Sequence, residues 1–519
     1  MKIFSLILIM ISASCFKQQS PKNALDESKE SLKILFTGNI NAELEPCGCR
    51  QFPLGGINHL YGLLSDFNKK SEFIFVDSGD AFFKQNFPML DEKESQVFRA
   101  KNLATALSMS KLRLKVLGDQ DLAFGVDSLV NIMENQSFDL LGTNLSSPKL
   151  NLIKFKKYKF QKHRIYFLGI SSSKLFTNEY VNLKVHEHVK SIKDQISLLE
   201  KEGYNKSNKF HHLILLSHSG MKEDKITAQK IPEIDWIIGS HSQNFTQKTV
   251  DVGSTKLVQV LSRNHYIGDL TFSKNSSEVT FSFHEVNQDL AQKVPNNPLT
   301  KFVDSFQKKL NQIQKTEQKR NSKILSSSNT ENRIPTATTC MDCHDTQGTF
   351  WQKTAHSLAY KTLVKNDSEN NLDCLKCHSV FLGEKNGFNN VADMVISSNK
   401  PVDSSYWKEV FSKKGPDESI RDWSDKQRFE YSEHWYNVDL KLNVSHNYAN
   451  VQCLNCHSYD PEHLDGENAK KESFQDIKNK CLSCHNSDQS EHWYSDGESL
   501  NEKAFLAAWD KVKCPKTEE

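Results

Sequence analysis

Short apolar runs recur through residues 31 to 290, and each of them ends in Gly, Asp, Asn, Ser or His. The runs are KILFTGNI, EFIFVDSGD, LKVLGDQD, FDLLGTNL, RIYFLGIS, HHLILLSHSG and IDWIIGSHS. Longer amphipathic stretches, such as GGINHLYGLLSDFNKK and HEHVKSIKDQISLLEKEG, lie between several of them. This alternation of short strands with amphipathic helices predicts an α/β domain. Since polar residues gather where the strands end, we expect a site at that edge of the sheet.

The pattern changes twice after these runs. From Lys248 to Glu285 it predicts β-hairpins, and residues 297–320 have the periodicity of a helix. The stretch KRNSKILSSSNTENR, residues 319–333, predicts a linker. Beyond Thr336, aliphatic runs are rare while Cys, His and Trp cluster, so we expect a mostly helical, loop-rich region. We also expect that this region cannot build a large core from its own side chains and that something else fills its interior.

The first residues, MKIFSLILIMISASC, have the composition of an export signal. A lysine precedes an apolar run from Ile3 to Ile11, which is too short to span a bilayer and fits a secretory signal peptide. A cysteine after small residues resembles a bacterial lipobox, which would make Cys15 the lipidated N-terminus; ordinary cleavage nearby is the alternative. Both interpretations predict export to the periplasm or cell envelope of a bacterium, and the lipobox adds a membrane anchor.

Length and charge limit the remaining possibilities. The chain has 519 residues, enough for two or more domains, and its 66 basic and 64 acidic residues give no indication of a nucleic-acid partner. The predicted organisation is a signal peptide at 1–15, a polar tether at 16–30, an α/β domain at 31–295, a helix and linker at 296–335, and a C-terminal region at 336–519.

A C-x-x-C-H motif occurs four times in the C-terminal region, as CMDCH, CLKCH, CLNCH and CLSCH. This motif attaches c-type haem through two thioether bonds, and its histidine ligates the iron. Zinc ribbons do not need a histidine after each second cysteine, and a redox C-x-x-C would need a thioredoxin-like setting. We therefore predict four covalently bound haem c groups on Cys340, Cys343, Cys374, Cys377, Cys453, Cys456, Cys481 and Cys484, with His344, His378, His457 and His485 as proximal ligands.

Other histidines of this region are candidates for the sixth position of each iron. His356 and His446 are placed like distal ligands, whereas His463 and His492 follow haem motifs closely. His434 is the expected bystander, and a surface or packing role is the alternative for each of the others. An iron without a sixth ligand would be open to a substrate.

The four motifs and the isolated histidines, within residues 336–495, resemble the tetrahaem cytochrome c-554-like class of multihaem cytochromes. That resemblance implies closely packed pairs of haems that conduct electrons.

The N-terminal region resembles the calcineurin-like metallophosphoesterases, closest to the 5′-nucleotidase branch and its sulfur-oxidation relatives. The resemblance rests on VDSGD ending at Asp80, LGDQDLAFG where the family has G-N-H-E/D, LLSHSG with His218, and DWIIGSHSQ with His241 and Gln243. It implies a four-layer α/β/β/α sandwich with two metal ions bridged by Asp80. Asp119, His218 and His241 would complete the set for one ion, and this set suits zinc, manganese or iron.

The other half of the implied metal pair is altered. Asn39 and Asn41 stand where the family has D-x-H, and with Gln243 they would be weak ligands. Gln120 replaces the family's catalytic histidine and cannot serve as a general acid. Because two-metal hydrolysis needs both ions, we expect one ion or none and no ordinary nucleotidase turnover. In the alternative, Asp80, His218 and His241 are merely polar residues of a site that has lost its function.

Cys47 and Cys49 lie on the first loop of this altered half. They replace the lost ligands, carry redox chemistry, or form a disulfide, in which Cys514 is a possible partner. All three interpretations stay open on the sequence.

Three functions agree with these observations. The preferred one is electron transfer by an exported, lipid-anchored tetrahaem cytochrome, with redox proteins or a quinone-linked chain as partners. The second is an active phosphoesterase, 5′-nucleotidase or sulfur-ester hydrolase with an appended cytochrome. The third is a multihaem oxidoreductase that acts on a small nitrogen or sulfur compound at an open iron.

Overall fold

A computed structural model describes residues 25–46, 53–86, 92–176, 181–325, 333–384, 386–464, 472–487, 489–494 and 499–515. The predicted signal peptide with Cys15, and the pair Cys47 and Cys49, lie outside these ranges. None of the helices within them is long and apolar enough to cross a membrane.

The N-terminal domain alternates strands and helices, as the apolar runs predict. Its strands are β1 Ser31–Thr37, β2 Glu72–Asp77, β3 Leu112–Lys115, β4 Asp139–Leu141, β5 Leu145–Ser146, β6 Leu152–Ile153, β7 Lys156–Phe160, β8 His163–Ser171, β9 Lys184–Val185, β10 His211–His218, β11 Trp236–Gly239, β12 Val250–Val252, β13 Thr255–Val258, β14 Tyr266–Ser273 and β15 Val279–Glu285. Its helices are α1 Ile57–Lys70, α2 Lys93–Met109, α3 Gly125–Met133, α4 His188–Lys201, α5 Met221–Lys230 and α6 Asp289–Gln292, and α7 Pro298–Leu325 follows.

Two mixed sheets form the centre of this domain. In the described residues, one sheet has the order β15-β14-β1-β2-β3-β4-β6 and the other the order β12-β13-β11-β10-β8-β7. Strands β1 to β4 and β6 run parallel in the first sheet, as do β8, β10, β11 and β13 in the second. The loops after these parallel strands therefore gather at one edge of each sheet.

The two sheets pack face to face, and helices cover both outer faces. Because side chains alternate along a strand, Ile34 and Phe36 of β1 enter the core between the sheets while Leu35 faces α1 and α2. Helices α4 and α5 cover the second sheet. This is the four-layer α/β/β/α sandwich that the resemblance implied, and the predicted fold class is confirmed. Leu25, inside the predicted tether, is buried in the core between the sheets, so packed structure begins before β1.

Helix α7 continues to Leu325, past the predicted end at residue 320. The predicted linker at 319–333 is therefore helical in its first part, since Lys319 to Leu325 contains neither Gly nor Pro to end the helix.

The C-terminal region is built mainly from short helices. They are α8 Ala337–Met341, α9 Asp345–Gln352, α10 Ala359–Lys365, α11 Leu372–His378, α12 Ser404–Val410, α13 Asp425–Lys441, α14 Cys453–Cys456, α15 Pro461–Leu464, α16 Phe474–Cys484 and α17 Glu502–Trp509; a small sheet joins β16 Val395–Ser397, β17 Lys400–Pro401 and β18 Val444–Asn447.

This region does form a hydrophobic core, contrary to the expectation from its few aliphatic runs. The core lies between residues 358 and 449 and draws on buried aromatic side chains: Tyr360, Tyr406, Trp423, Tyr431, Trp435 and Tyr448. The expectation was wrong because it counted aliphatic runs, whereas this core is built largely from aromatic side chains that come from several separate elements. In contrast, α14 and α16, which carry the third and fourth motifs, have no buried residue among those described.

Candidate functional site

Four residues converge where the two sheets meet, and we call them the metal cluster: Asp80, Asp119, His218 and His241. Asp80 follows β2, Asp119 follows β3, His218 ends β10 and His241 follows β11. One potential ligand atom from each lies within 4.8 Å of the others. The structure thus brings together the set that the resemblance assigned to one ion.

Short contacts link the side chains of the metal cluster. His218 Nε2 lies 3.2 Å from Asp80 Oδ2 and 3.1 Å from Asp119 Oδ1, and His241 Nδ1 lies 3.4 Å from the same Asp119 oxygen. His218 Nδ1 donates to the Ser78 carbonyl (3.0 Å), which directs Nε2 towards the carboxylates. Metal-bound histidines use the second ring nitrogen in this way.

The electrostatics of the metal cluster depend on this proximity. Burial opposes protonation of His218, but the charges of Asp80 and Asp119 raise its pKa to about 10. Burial works against ionisation of Asp119, yet the hydrogen bond with His218 and the nearby His241 keep the pKa of this carboxyl far below its ordinary value. In the absence of a cation, a protonated His218 therefore holds the two carboxylates together.

A buried ion triad, which the sequence analysis missed, supports the loop that carries Asp80. Asp121 accepts hydrogen bonds from the backbone N–H groups of residues 80, 81, 82 and 118 at 2.9 to 3.1 Å. Lys115 lies 2.9 Å from Asp121 and 2.7 Å from Asp77, and all three side chains are fully buried. The sequence feature that could have predicted this triad is a lysine within a buried strand, followed by GDQD.

Backbone strain is concentrated in these loops. Asp80 and His241 have φ angles of 57° and 72°, in the left-handed region that side chains rarely adopt. A Cβ at Gly118 would lie 2.0 Å from Asp80 Oδ1, so only glycine fits there. The loops thus hold the ligands in one arrangement.

The residues of the altered half surround the metal cluster with amide groups. Asn39 Oδ1 accepts from the His241 N–H (3.0 Å), so this oxygen positions the His241 loop. The Gln120 N–H donates to Asp80 Oδ1 (2.9 Å), and the Asn41 N–H donates to the Asp80 carbonyl (2.9 Å). Gln243 is exposed. Neutral amides have replaced the carboxylate and imidazole that the family uses here.

The residues present fit one divalent cation. The metal cluster supplies two carboxylates and two imidazoles, a donor set suited to zinc, manganese or iron. His241 Nδ1 is buried and has no hydrogen-bond partner among the described residues, which is the state expected of a nitrogen meant for a cation. Among the residues that the structure describes, Asn39, Asn41 and Gln243 offer no charge for a second cation.

In the C-terminal region, the haem motifs lie at the ends of short helices. His378 Nδ1 donates to the Ala359 carbonyl (2.7 Å), and His485 Nδ1 pairs with the Ser490 hydroxyl (2.8 Å). Both contacts leave Nε2 for an iron ion, and they fit the second shell of a proximal ligand. His457 Nδ1 lies 3.8 Å from Glu472.

Two predicted distal histidines lie opposite motif histidines. The ring centres of His356 and His485 are 6.2 Å apart, and those of His344 and His463 are 6.0 Å apart. Two imidazoles on opposite sides of one metal ion have centres about 6 Å apart, because each metal–nitrogen bond is about 2 Å long. The spacing therefore fits one iron between each pair.

The remaining histidines have other neighbours. His446 stacks on Tyr448 (6.1 Å), and His492 contacts Trp493 edge-on (6.0 Å). His434 Nε2 donates to the Glu409 carbonyl (3.1 Å), which agrees with a packing role.

Thiols of different motifs lie close together. Cys340 lies beside Cys453, and Cys484 lies beside Cys377. The first motif is therefore next to the third, and the second next to the fourth, as expected for haems packed in pairs. Cys514, the proposed disulfide partner of the first loop, is a free, exposed thiol near the third motif; since Cys47 and Cys49 lie outside the described residues, their role stays a prediction.

Comparisons with known proteins also separate the chain into an N-terminal and a C-terminal part, each similar to a different family. A model of the family "Cytochrome c554 and c-prime" matches residues 339–399, which contain the first two haem motifs. The 5′-nucleotidase of Mus musculus is 22% identical over 232 residues, which are 41% of this chain and 38% of the mouse protein. Protein 5NUC of Lutzomyia longipalpis is 22% identical over 264 residues, 47% of this chain and 43% of that protein.

Among solved structures, a 5′-nucleotidase precursor from Thermus thermophilus is 15% identical with a TM-score of 0.45, and the match covers 59% of this chain and 61% of that one. The chain spans less than half the length of the curated relatives it matches. Its N-terminal domain is thus similar to 5′-nucleotidases, and residues 339–399 of its C-terminal region match the cytochrome c554 family model.

Proposed function

We propose that the chain is an exported, lipid-anchored tetrahaem c-type cytochrome that transfers electrons, and that its N-terminal domain holds one divalent metal ion without ordinary two-metal hydrolysis. The main support is the spacing of the two histidine pairs, at 6.2 and 6.0 Å. An iron between two imidazoles has no open position, which favours electron transfer over reaction of a small nitrogen or sulfur compound at the irons of the first and fourth motifs.

A haem count and spin-state measurement on protein matured in an exporting host tests this proposal. We expect four haems per chain and low-spin signals from the irons of the first and fourth motifs. His356→Ala should convert one haem to high spin, whereas His434→Ala, the matched control, should leave all spin states unchanged. A low-spin spectrum that survives His356→Ala would refute the pairing with His485.

The metal cluster also gives a specific reason to test hydrolysis, because one complete ligand set remains. A bound cation would polarise an ester oxygen, but the amide half leaves the opposite oxygen without a positive partner. We expect about one zinc ion per chain and no turnover of 5′-nucleotides with added manganese. Turnover that disappears in His218→Ala would establish the hydrolase instead.

The anchor and the redox partners belong to the same proposal. With a lipidated Cys15, the protein would lie on a membrane face where redox proteins or a quinone-linked chain can reach its haems. Membrane fractionation checks this: Cys15→Ser should release haem-loaded protein into the soluble fraction.

A further inference from the structure

Helix α7 fixes the C-terminal region against the N-terminal domain. Its Phe306 and Leu310 are buried in the core under the first sheet. On another face, Asn311 Nδ2 donates to Glu369 (2.9 Å) and Asn311 Oδ1 accepts from Asn370 Nδ2 (2.9 Å). Asn311 and Asn370 are both buried, so the two regions share one well-defined interface rather than a loose connection.

The same interface includes a short segment of the metal site, residues 81–86, which we call the bridging loop. It begins directly after Asp80. At its far end, Asn86 Nδ2 donates to Asp119 Oδ2 (2.5 Å). Between these points, Lys84 Nζ lies 3.5 Å from Asp373 Oδ2, and Asp373 directly precedes the haem cysteine Cys374. One loop therefore contacts both the metal cluster and the second haem motif.

A second contact joins the two sites independently. Arg99 of α2 bonds Glu45 (3.0 Å), which lies on the loop after β1. The guanidinium lies near Cys374, the first cysteine of the second haem motif. The loops after β1 and β2 thus lie beside the start of the second haem motif, the loop after β2 through Lys84 and the loop after β1 through Arg99.

We propose that the bridging loop couples cation binding at the metal cluster to the oxidation state of the haem on Cys374 and Cys377. This inference rests on the proposed function, since it needs both groups. A cation at the metal cluster would be ligated by Asp119, which accepts the hydrogen bond from Asn86. Cation binding would therefore alter this hydrogen bond and, with it, the loop that positions Lys84 beside Asp373. Reduction of a haem held by Cys374 and Cys377 would add one negative charge close to Asp373, which directly precedes Cys374.

The sign of the coupling follows from these charges. A reduced haem attracts positive charge more strongly than an oxidised one, so a cation should bind more tightly to the reduced protein. By reciprocity, the cation should favour reduction of this haem by the same factor. Coupling between sites is commonly 5- to 150-fold, and we expect about fivefold here because part of the interface is open to solvent.

The test compares Zn²⁺ affinity of the full-length, haem-loaded protein in its oxidised and chemically reduced forms. Zinc is redox-inert, so its binding reports the coupling alone. We expect a dissociation constant about fivefold lower in the reduced protein, and a matching rise in the midpoint potential of one haem when zinc is present.

Lys84→Met and Lys376→Met form a matched pair for this test. Each removes one lysine from Asp373, since Lys376 Nζ lies 3.2 Å from Asp373 Oδ1, but only Lys84 belongs to the bridging loop. Lys84→Met should lower the affinity ratio, because the loop's contact with Asp373 is lost, and Lys376→Met should preserve it. A ratio of one between the zinc dissociation constants of the oxidised and reduced unmodified protein would overturn the coupling, as would equal effects of the two variants on that ratio. If the haem and zinc counts were normal in that case, the proposed function would still stand.

Discussion

The metal cluster and the haem motifs are held in opposite ways. The carboxyl of Asp80 and the imidazole of His218 are almost completely buried, and hydrogen bonds from neighbouring loops fix both residues. The motif on α16 has no buried residue among those described. The side chains and backbone of the N-terminal domain therefore preorganise its site, whereas on our proposal the C-terminal motifs need covalently bound haem to complete their surroundings.

The largest effect should come from withholding haem. We expect protein made without haem attachment to keep a protease-resistant N-terminal domain, while the segment from α14 to α17 is digested quickly because little of it is buried. The aromatic core between residues 358 and 449 should resist for longer than that segment. Limited proteolysis with mass spectrometry checks this order; equal resistance of α16 with and without haem would contradict the contrast between the two regions.

A smaller effect is expected from Lys115→Met in the N-terminal domain. This change leaves Asp77 and Asp121 as unpaired buried carboxylates, and breaking a buried ion pair costs about 3–5 kcal/mol. Hydrogen exchange of peptides from β2 and β10 measures the loss locally. Lys149→Met is the control, because its ion pair with Asp127 is solvent-exposed and should contribute less than about 1 kcal/mol. Similar effects of both variants would argue against preorganisation by the triad.

The sequence predicts those features that are local in the chain. Each haem motif lies within five residues, and the strands of the N-terminal domain are short, continuous apolar runs. Asp80, Asp119, His218 and His241 could be named because the short motifs that contain them resemble those of the metallophosphoesterases, and each lies at the end of a predicted strand. Parallel topology then explains why they meet.

Features that depend on contacts between distant segments could not be predicted. The roles of Lys115 and Asp121 exist only because the loop after β2 folds over the loop after β3. His463, one of the less favoured distal candidates, has its ring centre 6.0 Å from that of His344, and this proximity could not be read from spacing along the chain. The aromatic core likewise arises from residues far apart in sequence.

The C-terminal region also contains a buried, hydrogen-bonded carboxyl group, that of Asp439, and the pH dependence of stability tests its role. Asp439 accepts from the Tyr406 hydroxyl (2.6 Å) and Asn447 Nδ2 (2.8 Å), and burial raises the pKa of its carboxyl from 3.8 to about 6. A raised pKa means that the folded state favours the protonated acid. The contribution of this carboxyl to the free energy of unfolding is therefore greatest below pH 4. It is lost as the pH rises to about 6, and the loss is at most about 3 kcal/mol.

Asp439→Asn should remove this dependence, so that the free energy of unfolding of the aromatic core changes less between pH 4 and 6. Denaturant unfolding of haem-loaded protein at several pH values measures the slope. Asp417→Asn, at an exposed position, should retain the slope of the unmodified protein. A slope unchanged in Asp439→Asn would show that this carboxyl is not the titrating group.

The smallest effect concerns the contact between the two regions. Gln318 of α7 is buried, and its Oε1 accepts from the Val391 N–H (3.0 Å). Gln318→Ala leaves this N–H without a partner, at a cost of about 1–3 kcal/mol. Gln312→Ala is the control, because that side chain is exposed on the same helix. Hydrogen exchange near Val391 should increase only in Gln318→Ala; if both variants behave like the unmodified protein, the interface does not stabilise the C-terminal region, and the haems alone hold it in place.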